Sequence, residues 1–465
     1  MTDAALLDLE SIAAAAIAAV RPEDLVPRRL GCHGGRLLLD GGGFVEPAST
    51  GGRIAIVGGG KAAAGIAAAL EAVLAPASVA GADIDGLVSV PEGCGRRLSR
   101  VEVRETRPAA ANLPTTRVVA ATREMQTLLA GLDAADLAIV IVTGGGSALL
   151  ESPVAGVALE DVIAVTAGLS AAGADIRELN TVRQTLSAVK AGGLARGCGA
   201  GRLVAVVLSD VIGDPLDLIA SGPCLPVHAD PAAALAILRR HGMLAVSTAV
   251  TRHLERSADG AVATTSESAL VGGEWQTQRG CRVSHVLLGT NATAVAAAAR
   301  QARERGFDVT VREASPVVET ADAVGRRLAA EGLKIAARVA GDGRPRAVIE
   351  GGEAVVAVPR DHGVGGRNQQ TVLAAIAALH GGGDVWPAGL VVASVGTDGE
   401  DGPTRAAGGV ATAAVVARLH EAAIDVPAAV ARCDSFSALA AADGLLHTGP
   451  TGTNVADVRI MLARP

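Results

Sequence analysis

Three polar loops lie between Gly351 and Gly409: Gly351-Gly352-Glu353, Gly365-Gly366-Arg367-Asn368-Gln369 and Thr397-Asp398-Gly399-Glu400-Asp401-Gly402. Glycine lets backbone come close to a ligand, and the side chains between these glycines are an arginine, an amide pair and several carboxylates. That mixture suits a polyanionic substrate carried with a metal ion, and poorly suits a hydride, an apolar ligand or a nucleic acid. Arg367 precedes a helix expected from about Gln370. Its planar donors fit a carboxylate, a phosphate or a phosphoryl group in transfer. Glu353, Asp398 and Asp401 are candidate carboxylates for Mg²⁺ or a proton. Asp398 and Asp401 flank turn glycines, where an ordinary Asx turn is the plainer reading. Thr448–Asn454 is one more hydroxyl-rich loop.

The amino-terminal half carries a second set. Gly58-Gly59-Gly60-Lys61-Ala62-Ala63 satisfies the GxGxxA dinucleotide pattern, with Asp83 or Asp85 near the ribose-binding offset. The spacing is not that of a P-loop. Lys61 adds full positive charge to a helix start that already attracts anions; the plainer reading is a solvated lysine. Gly144-Gly145-Gly146-Ser147 follows an apolar run and reads as a second anion nest or as a tight turn with a serine cap. At helical spacing Asn180, Arg183, Ser187 and Lys190 share one polar face without acidic partners, which points toward an anion. Ser209-Asp210 directly follows the apolar strand Leu203–Leu208, and a carboxylate there, Asp210, can hold Mg²⁺ or accept a hydroxyl proton.

The elements that position these residues follow a βαβ rhythm. Runs at Arg53–Val57, Ala138–Val142 and Leu203–Leu208 alternate with Ala-rich helices, which predicts an α/β fold with a Rossmann-like, doubly wound parallel sheet. Ligands of such sheets bind at the carboxyl ends of strands, where the glycine loops fall. The segment from Pro226 to about Gly280 reads as a domain junction. It separates residues 1–240 from a second α/β domain, 241–465, that opens at Val283–Leu288. Strands at Ala347–Glu350, Ala354–Val358, Leu390–Ser394 and Val458–Leu462 follow one another closely enough to suggest a mixed sheet there.

Composition narrows the function. With 465 residues, no Tyr, 3 Phe and 2 Trp, the chain is long enough for two or three domains and nearly lacks base-stacking platforms. Its net charge of −7 argues against a nucleic-acid partner. The apolar runs are shorter than the roughly 20 residues of a spanning helix, so no membrane is expected. The acidic start does not read as a signal peptide. Cys32, Cys94, Cys198, Cys224, Cys281 and Cys433 show no metal spacing and read as reduced, mostly buried thiols in a cytoplasmic protein. The expected partners are small molecules, with a homodimer left open.

Read in order, these segments resemble the glycerate 2-kinases of the MOFRL type, whose members often carry an older hydroxypyruvate-reductase label. The resemblance runs over nearly the whole chain. It rests on Gly60-Lys61-Ala62-Ala63, Gly144–Ala148, Asn180-x-Val-Arg183 through Lys190, Ser209–Asp214, Ile219–Pro223, Gly352-Glu353, Gly365–Gln369, Thr397–Thr404 and Gly449–Asn454. It implies a Rossmann-like domain, a smaller α/β domain and a cleft between them, with ATP- and Mg²⁺-dependent phosphorylation of D-glycerate at its 2-hydroxyl. Lys61 and Arg367 match positions regarded as essential; Asp210, Glu353, Asp398 and Asn454 match cleft-lining polar residues. On this reading Lys61, Arg367 and Asp210 are catalytic. Gly58, Gly59, Gly60, Gly144, Gly145, Gly146, Ser147, Asn180, Arg183, Lys190, Glu353, Asn368 and Asn454 bind substrate or nucleotide, and Asp210, Glu353 and Asp398 hold the metal. The chain departs from the pattern in three places. Arg104–Thr116 reads RETRPAAANLPTT without the usual histidine, Thr185 stands where a histidine is usual, and Arg405 where an acid is common. The alternatives are an NAD(P)H-dependent hydroxypyruvate reductase, a kinase for a related 2-hydroxy acid, and a non-catalytic anion-sensing module.

Overall fold

Sixteen strands are formed among the residues described by the computed structural model, which are 4–33, 36–39, 43–45, 52–75, 83–109, 112–259, 274–315, 317–381 and 385–465. They are β1 Leu30–His33, β2 Arg36–Leu39, β3 Gly43–Val45, β4 Arg53–Gly59, β5 Asp83–Pro91, β6 Val101–Arg107, β7 Leu137–Thr143, β8 Arg202–Leu208, β9 Glu274–Gln276 and β10 Arg282–Gly289. They continue with β11 Asp308–Arg312, β12 Arg346–Gly352, β13 Leu390–Gly396, β14 Gly408–Ala411, β15 Leu445–Leu446 and β16 Asp457–Ala463. The chain divides into two compact units, Pro22–Leu288 and Met1–Arg21 joined with Gly289–Pro465.

In the first unit the sheet order is β6-β5-β4-β7-β8-β10-β9. The pairs β4 with β5, β4 with β7, β5 with β6 and β7 with β8 are parallel. This is the Rossmann-like arrangement the βαβ rhythm predicts, and its order reverses between β4 and β7. β4, β7 and β8 are almost continuously buried and apolar, as strands covered on both faces must be. The turns after β4 and β7 therefore meet at the switch point. Gly58 is required there by packing. A Cβ on it would sit 2.1 Å from the Ile141 carbonyl oxygen, at a φ of +148°.

In the second unit the order is β11-β12-β16-β13-β14-β15. β11 and β12 are parallel while β16 runs antiparallel to both β12 and β13, a mixed sheet as expected. Because β16 lies between them in the opposite direction, its first residue, Asp457, pairs with the last residues of β12 and β13, Gly352 and Gly396. Three loops consequently converge on one edge.

The division falls at Leu288/Gly289 rather than near residue 240. Val283–Leu288 lies in β10, a strand of the first sheet rather than the opening of the second unit. Helices Pro231–Arg240 and Thr248–Asp259 are no junction either: Ile237, Leu238, Val250 and Leu254 share a core with Val165, Leu169 and Leu186. Residues 260–273 lie outside the described residues. The first helix, Ala4–Ala18, joins the second unit, burying Leu9 and Ile12 while its Asp8 accepts from Arg305 and Arg464. A strand expected at Ala354–Val358 reduces to one bridge, Val355 to Thr320. No helix among the described residues is long and apolar enough to cross a membrane.

Gly58→Ala should destabilise the first unit by about 3 kcal/mol through this backbone clash and the left-handed φ. A thermal midpoint within about 1 °C of wild type would refute the packing account.

Candidate active site

The carboxyl edge of the second sheet holds the denser constellation. Arg367 opens the helix Arg367–Gly381, three residues earlier than expected. Its Nε and Nη2 donate to the two oxygens of Asp457 at 2.6 and 3.0 Å, and Nη1 lies 2.9 Å from Glu353. Burial pulls the guanidinium pKa down, but Asp457, Glu353 and Asp401 more than reverse this, so its charge is secured above its ordinary value. A third of its side chain stays exposed, whereas Asp457 is 1% exposed. Asp457 was not singled out from the sequence, where it reads as the polar first residue of an apolar strand.

Asp401 caps that helix from a distant loop. Its carboxylate accepts the Asn368 and Gln369 N–H groups at 3.0 and 2.8 Å, satisfying donors that a helix start leaves open. Gly366 makes room: a Cβ there would fall 2.2 Å from the Asp401 carboxyl carbon. Burial pushes Asp401 up to about 7, with its helix N–H bonds opposing and Asp457 adding to the rise. Asn368, an expected ligand contact, is buried and consumed internally by Asp401, Asp457 and Ser394.

Glu353 and Asp398 stay partly accessible on the same edge. Burial raises the Glu353 pKa, Arg367 opposes it, and the charges of Asp457 and Asp398 add to the rise. The side chain of Asp398 accepts the Glu400 N–H, the Asx-type turn that its glycine neighbour predicts. Asn454 likewise accepts the Ala456 N–H, turning the chain into β16. Among the described residues no three metal-binding side chains cluster.

The first unit gathers Lys61 and the Gly144–Ser147 turn at the switch point, with Asp210 partly exposed just past β8, one strand beyond β7. The glycine turn after β4 is not a free anion nest. Gly60 N–H donates to Ser89 O, Lys61 N–H to Gly144 O and Ala62 N–H to Thr143 Oγ1, while Gly58 and Gly59 are strand residues. A Cβ built on Gly145 would lie 3.3 Å from Arg107 Nη2 and 3.9 Å from Lys61 Cγ, so the Arg107 guanidinium and the Lys61 stem flank that glycine. Arg107 was missed in the sequence. It is 2% exposed and is held by the carbonyls of Pro108 and Ala109 at 3.0 and 3.3 Å.

The expected polar face from Asn180 to Lys190 does not form. The helix ends at Leu186, and Lys190 turns inward to a buried Glu151 at 2.9 Å and to the Ser147 and Leu150 carbonyls. That acidic partner was not foreseen; the pair is structural, since a buried ion must be neutralised. Asn180 is also buried, accepting from Ser221, whose Oγ is 3.3 Å from Ser147 Oγ. Arg183 lines a cavity of about 20 Å³ with Ser147 and Glu151, room for a water rather than a substrate. Asp83 and Asp85 lie at the start of β5, the edge opposite Gly60, and Asp85 pairs with Arg53 at 2.9 Å. Neither can serve a dinucleotide ribose at the glycine turn.

Residues 8–255 match the model of a domain family of unknown function (DUF4147), and residues 346–457 match the MOFRL family. Human glycerate kinase is 34% identical over 88% of this chain and 84% of its own. The D-glycerate 2-kinase of Thermotoga maritima is 36% identical over 75% of this chain and 78% of its own. The chain belongs to the glycerate kinase family. Two solved structures agree throughout. The glycerate kinase of Thermotoga maritima superposes at a TM-score of 0.76, with 32% identity and 97% of each chain covered. A Pyrococcus horikoshii protein superposes at 0.76 with 30% identity, covering 100% of this chain and 99% of its own. Within this glycerate kinase fold the MOFRL match spans the helix start at Arg367 and ends on Asp457.

The Asp401 pKa has a consequence for stability. Folded Asp401 holds its proton up to about pH 7 whereas the unfolded group releases it near 3.8. Between those values the folded state binds more protons, so this residue makes stability fall as pH rises, levelling off above about 7. Asp401→Asn should flatten that slope in denaturant titrations from pH 4 to pH 8; identical slopes in both proteins would contradict the assignment.

Proposed function

We propose that the protein transfers the γ-phosphoryl group of ATP to the 2-hydroxyl of D-glycerate, yielding 2-phosphoglycerate and ADP. The single observation that carries this reading is an arginine with secured charge at the entrance to a sheet edge, Arg367, held by Asp457 and Glu353 in a protein of the glycerate kinase family. Relatives from Homo sapiens, Thermotoga maritima and Pyrococcus horikoshii bear the names glycerate kinase, D-glycerate 2-kinase and glycerate 2-kinase, which supports the same chemistry here.

Phosphoryl transfer asks for positioning and charge neutralisation more than for covalent chemistry. Arg367 supplies a fixed positive charge for the transferring group. Its paired donors cannot swing away while Asp457 holds two of them. In the first unit Lys61 is the cation for an anionic group of either substrate, its stem lying beside Gly145 together with the Arg107 guanidinium. Asp210, partly exposed past β8, is the first choice to accept the hydroxyl proton, with Glu353 and Asp398 as alternates.

The accessible carboxylates on the carboxyl edge of the second sheet are the oxygen donors Mg²⁺ takes when phosphates complete its shell, and among the described residues no three metal-binding side chains cluster into a closed cage. Glu353 and Asp398, whose charges interact, would hold it, and Asp210 is the candidate in the first unit. When bound, Mg²⁺ supplies charge neutralisation on the phosphates. The reductase alternative lacks a ribose-binding acid at the glycine turn, because Asp83 and Asp85 lie at the other edge. A cytoplasmic setting accompanies the proposal, supported by unbridged thiols at Cys198, Cys224, Cys281 and Cys433; the Cys32 side chain lies outside the described residues.

Purified protein with ATP, Mg²⁺ and D-glycerate should form 2-phosphoglycerate rather than the 3-phospho isomer. Lys61→Ala and Arg367→Ala should each lower kcat on the order of 10³-fold. NADH consumption with hydroxypyruvate and no ATP-dependent product would overturn the reading, and near-normal kcat in Arg367→Ala would remove that residue's role.

A further inference from the structure

At the carboxyl ends of β11 and β12 lies a cavity of about 320 Å³ that shares only Glu353 with the residues assigned to the phosphoryl transfer. The two strands are parallel, so both point their carboxyl ends into it, the place where open α/β sheets receive ligands. Its volume lies in the range of small-molecule sites, roughly 300–1,000 Å³, and far exceeds what a three-carbon acid fills.

The charge on its walls decides what can enter. Its three arginines are already committed: Arg312 to Glu331 at 2.9 Å, Arg327 to Glu350 and Glu319 at 2.6 and 3.1 Å, and Arg459 to Glu350 at 2.7 Å. Burial works against the Glu350 carboxylate, yet the arginine pair outweighs it and holds its pKa below the ordinary value. An anion placed inside would gain no unpaired cation and would face Glu313, Glu319 and Glu353. Hydroxyl and amino groups, by contrast, find acceptors on those same carboxylates. Val317, 70% exposed, adds an apolar wall, and the Nε–H of Arg459, whose side chain is 5% exposed, is buried without an acceptor. Neutral, hydroxyl-rich and partly apolar is the description of a nucleoside. Glu353 then links the cavity wall to Arg367, 2.9 Å away.

We propose that this cavity receives the nucleoside of ATP, its ribose hydroxyls on the wall glutamates and its purine against Val317, with the phosphates leaving past Glu353 toward Arg367. The inference rests on the kinase reading and adds which substrate the second unit takes.

Two variants on the accessible wall test it, Val317→Trp to fill the cavity and Glu313→Lys to invert its charge. Calorimetry with ADP and with D-glycerate, alongside thermal midpoints as a folding check, supplies the readout. ADP affinity should fall about tenfold or more in both variants while D-glycerate affinity stays within about twofold. Unchanged ADP affinity, or loss of D-glycerate binding instead, would overturn the proposal, as would a wild-type protein that binds no adenine nucleotide. Nucleotide binding that is lost in both variants, in a protein that makes no phosphoglycerate, would uphold the cavity and defeat the kinase reading alone.

Discussion

The two bonds from Arg367 to Asp457 organise the second unit. A buried carboxylate is costly unless paired and fully hydrogen-bonded, and Asp457 meets that demand with Arg367 and Asn368. The demand is returned. Arg367 can present its charge at one place because two of its nitrogens are fixed. Asp457 is itself fixed by being the first residue of β16, between the ends of β12 and β13. Asn291 adds a clamp, donating to the carbonyls of Val455 and Asp457. Sheet topology thus becomes side-chain geometry: Glu353 follows β12, Asp398 follows β13 and Asn454 precedes β16, so one antiparallel insertion brings all three to the same edge.

The first unit uses its glycines differently. Gly58 and Gly60 let neighbouring strands approach, since added Cβ atoms would strike Ile141 and Thr143. The backbone N–H groups around them are spent within the protein. A motif that looks like a phosphate cradle is here a packing device that delivers Lys61 to the switch point. What the two turns bring together beside Gly145 is the stem of Lys61 and the guanidinium of Arg107.

Much of this was legible in the sequence. Alternating apolar runs and helices foretold the parallel sheet, and closely spaced strands foretold the mixed one. Arg367, Glu353 and Asp398 announced themselves through glycine-rich polar loops. Asp457 and Arg107 did not, because each looks like an ordinary polar end of a strand until topology shows what stands beside it. Lys190 misled for the same reason: helical spacing extended past Leu186 gave it an anion-facing polar face, and no local signal pointed to Glu151, its buried partner. The boundary was misplaced because the helices after Pro226 pack sideways into their own unit, and because β10 returns to the first sheet before the chain leaves it.

On the proposed reading Asp457 serves the reaction through Arg367, which it holds by two bonds. A double-mutant cycle on kcat with Arg367→Ala, Asp457→Asn and the pair, with D-glycerate and ATP saturating, tests it most directly. If Asp457 serves to hold the guanidinium, its substitution lowers kcat in the wild-type background, on the order of 10²-fold, and changes nothing further once Arg367 is gone. Losses that multiply in the double variant would mean instead that the two residues contribute separately and that Asp457 does not work by holding Arg367.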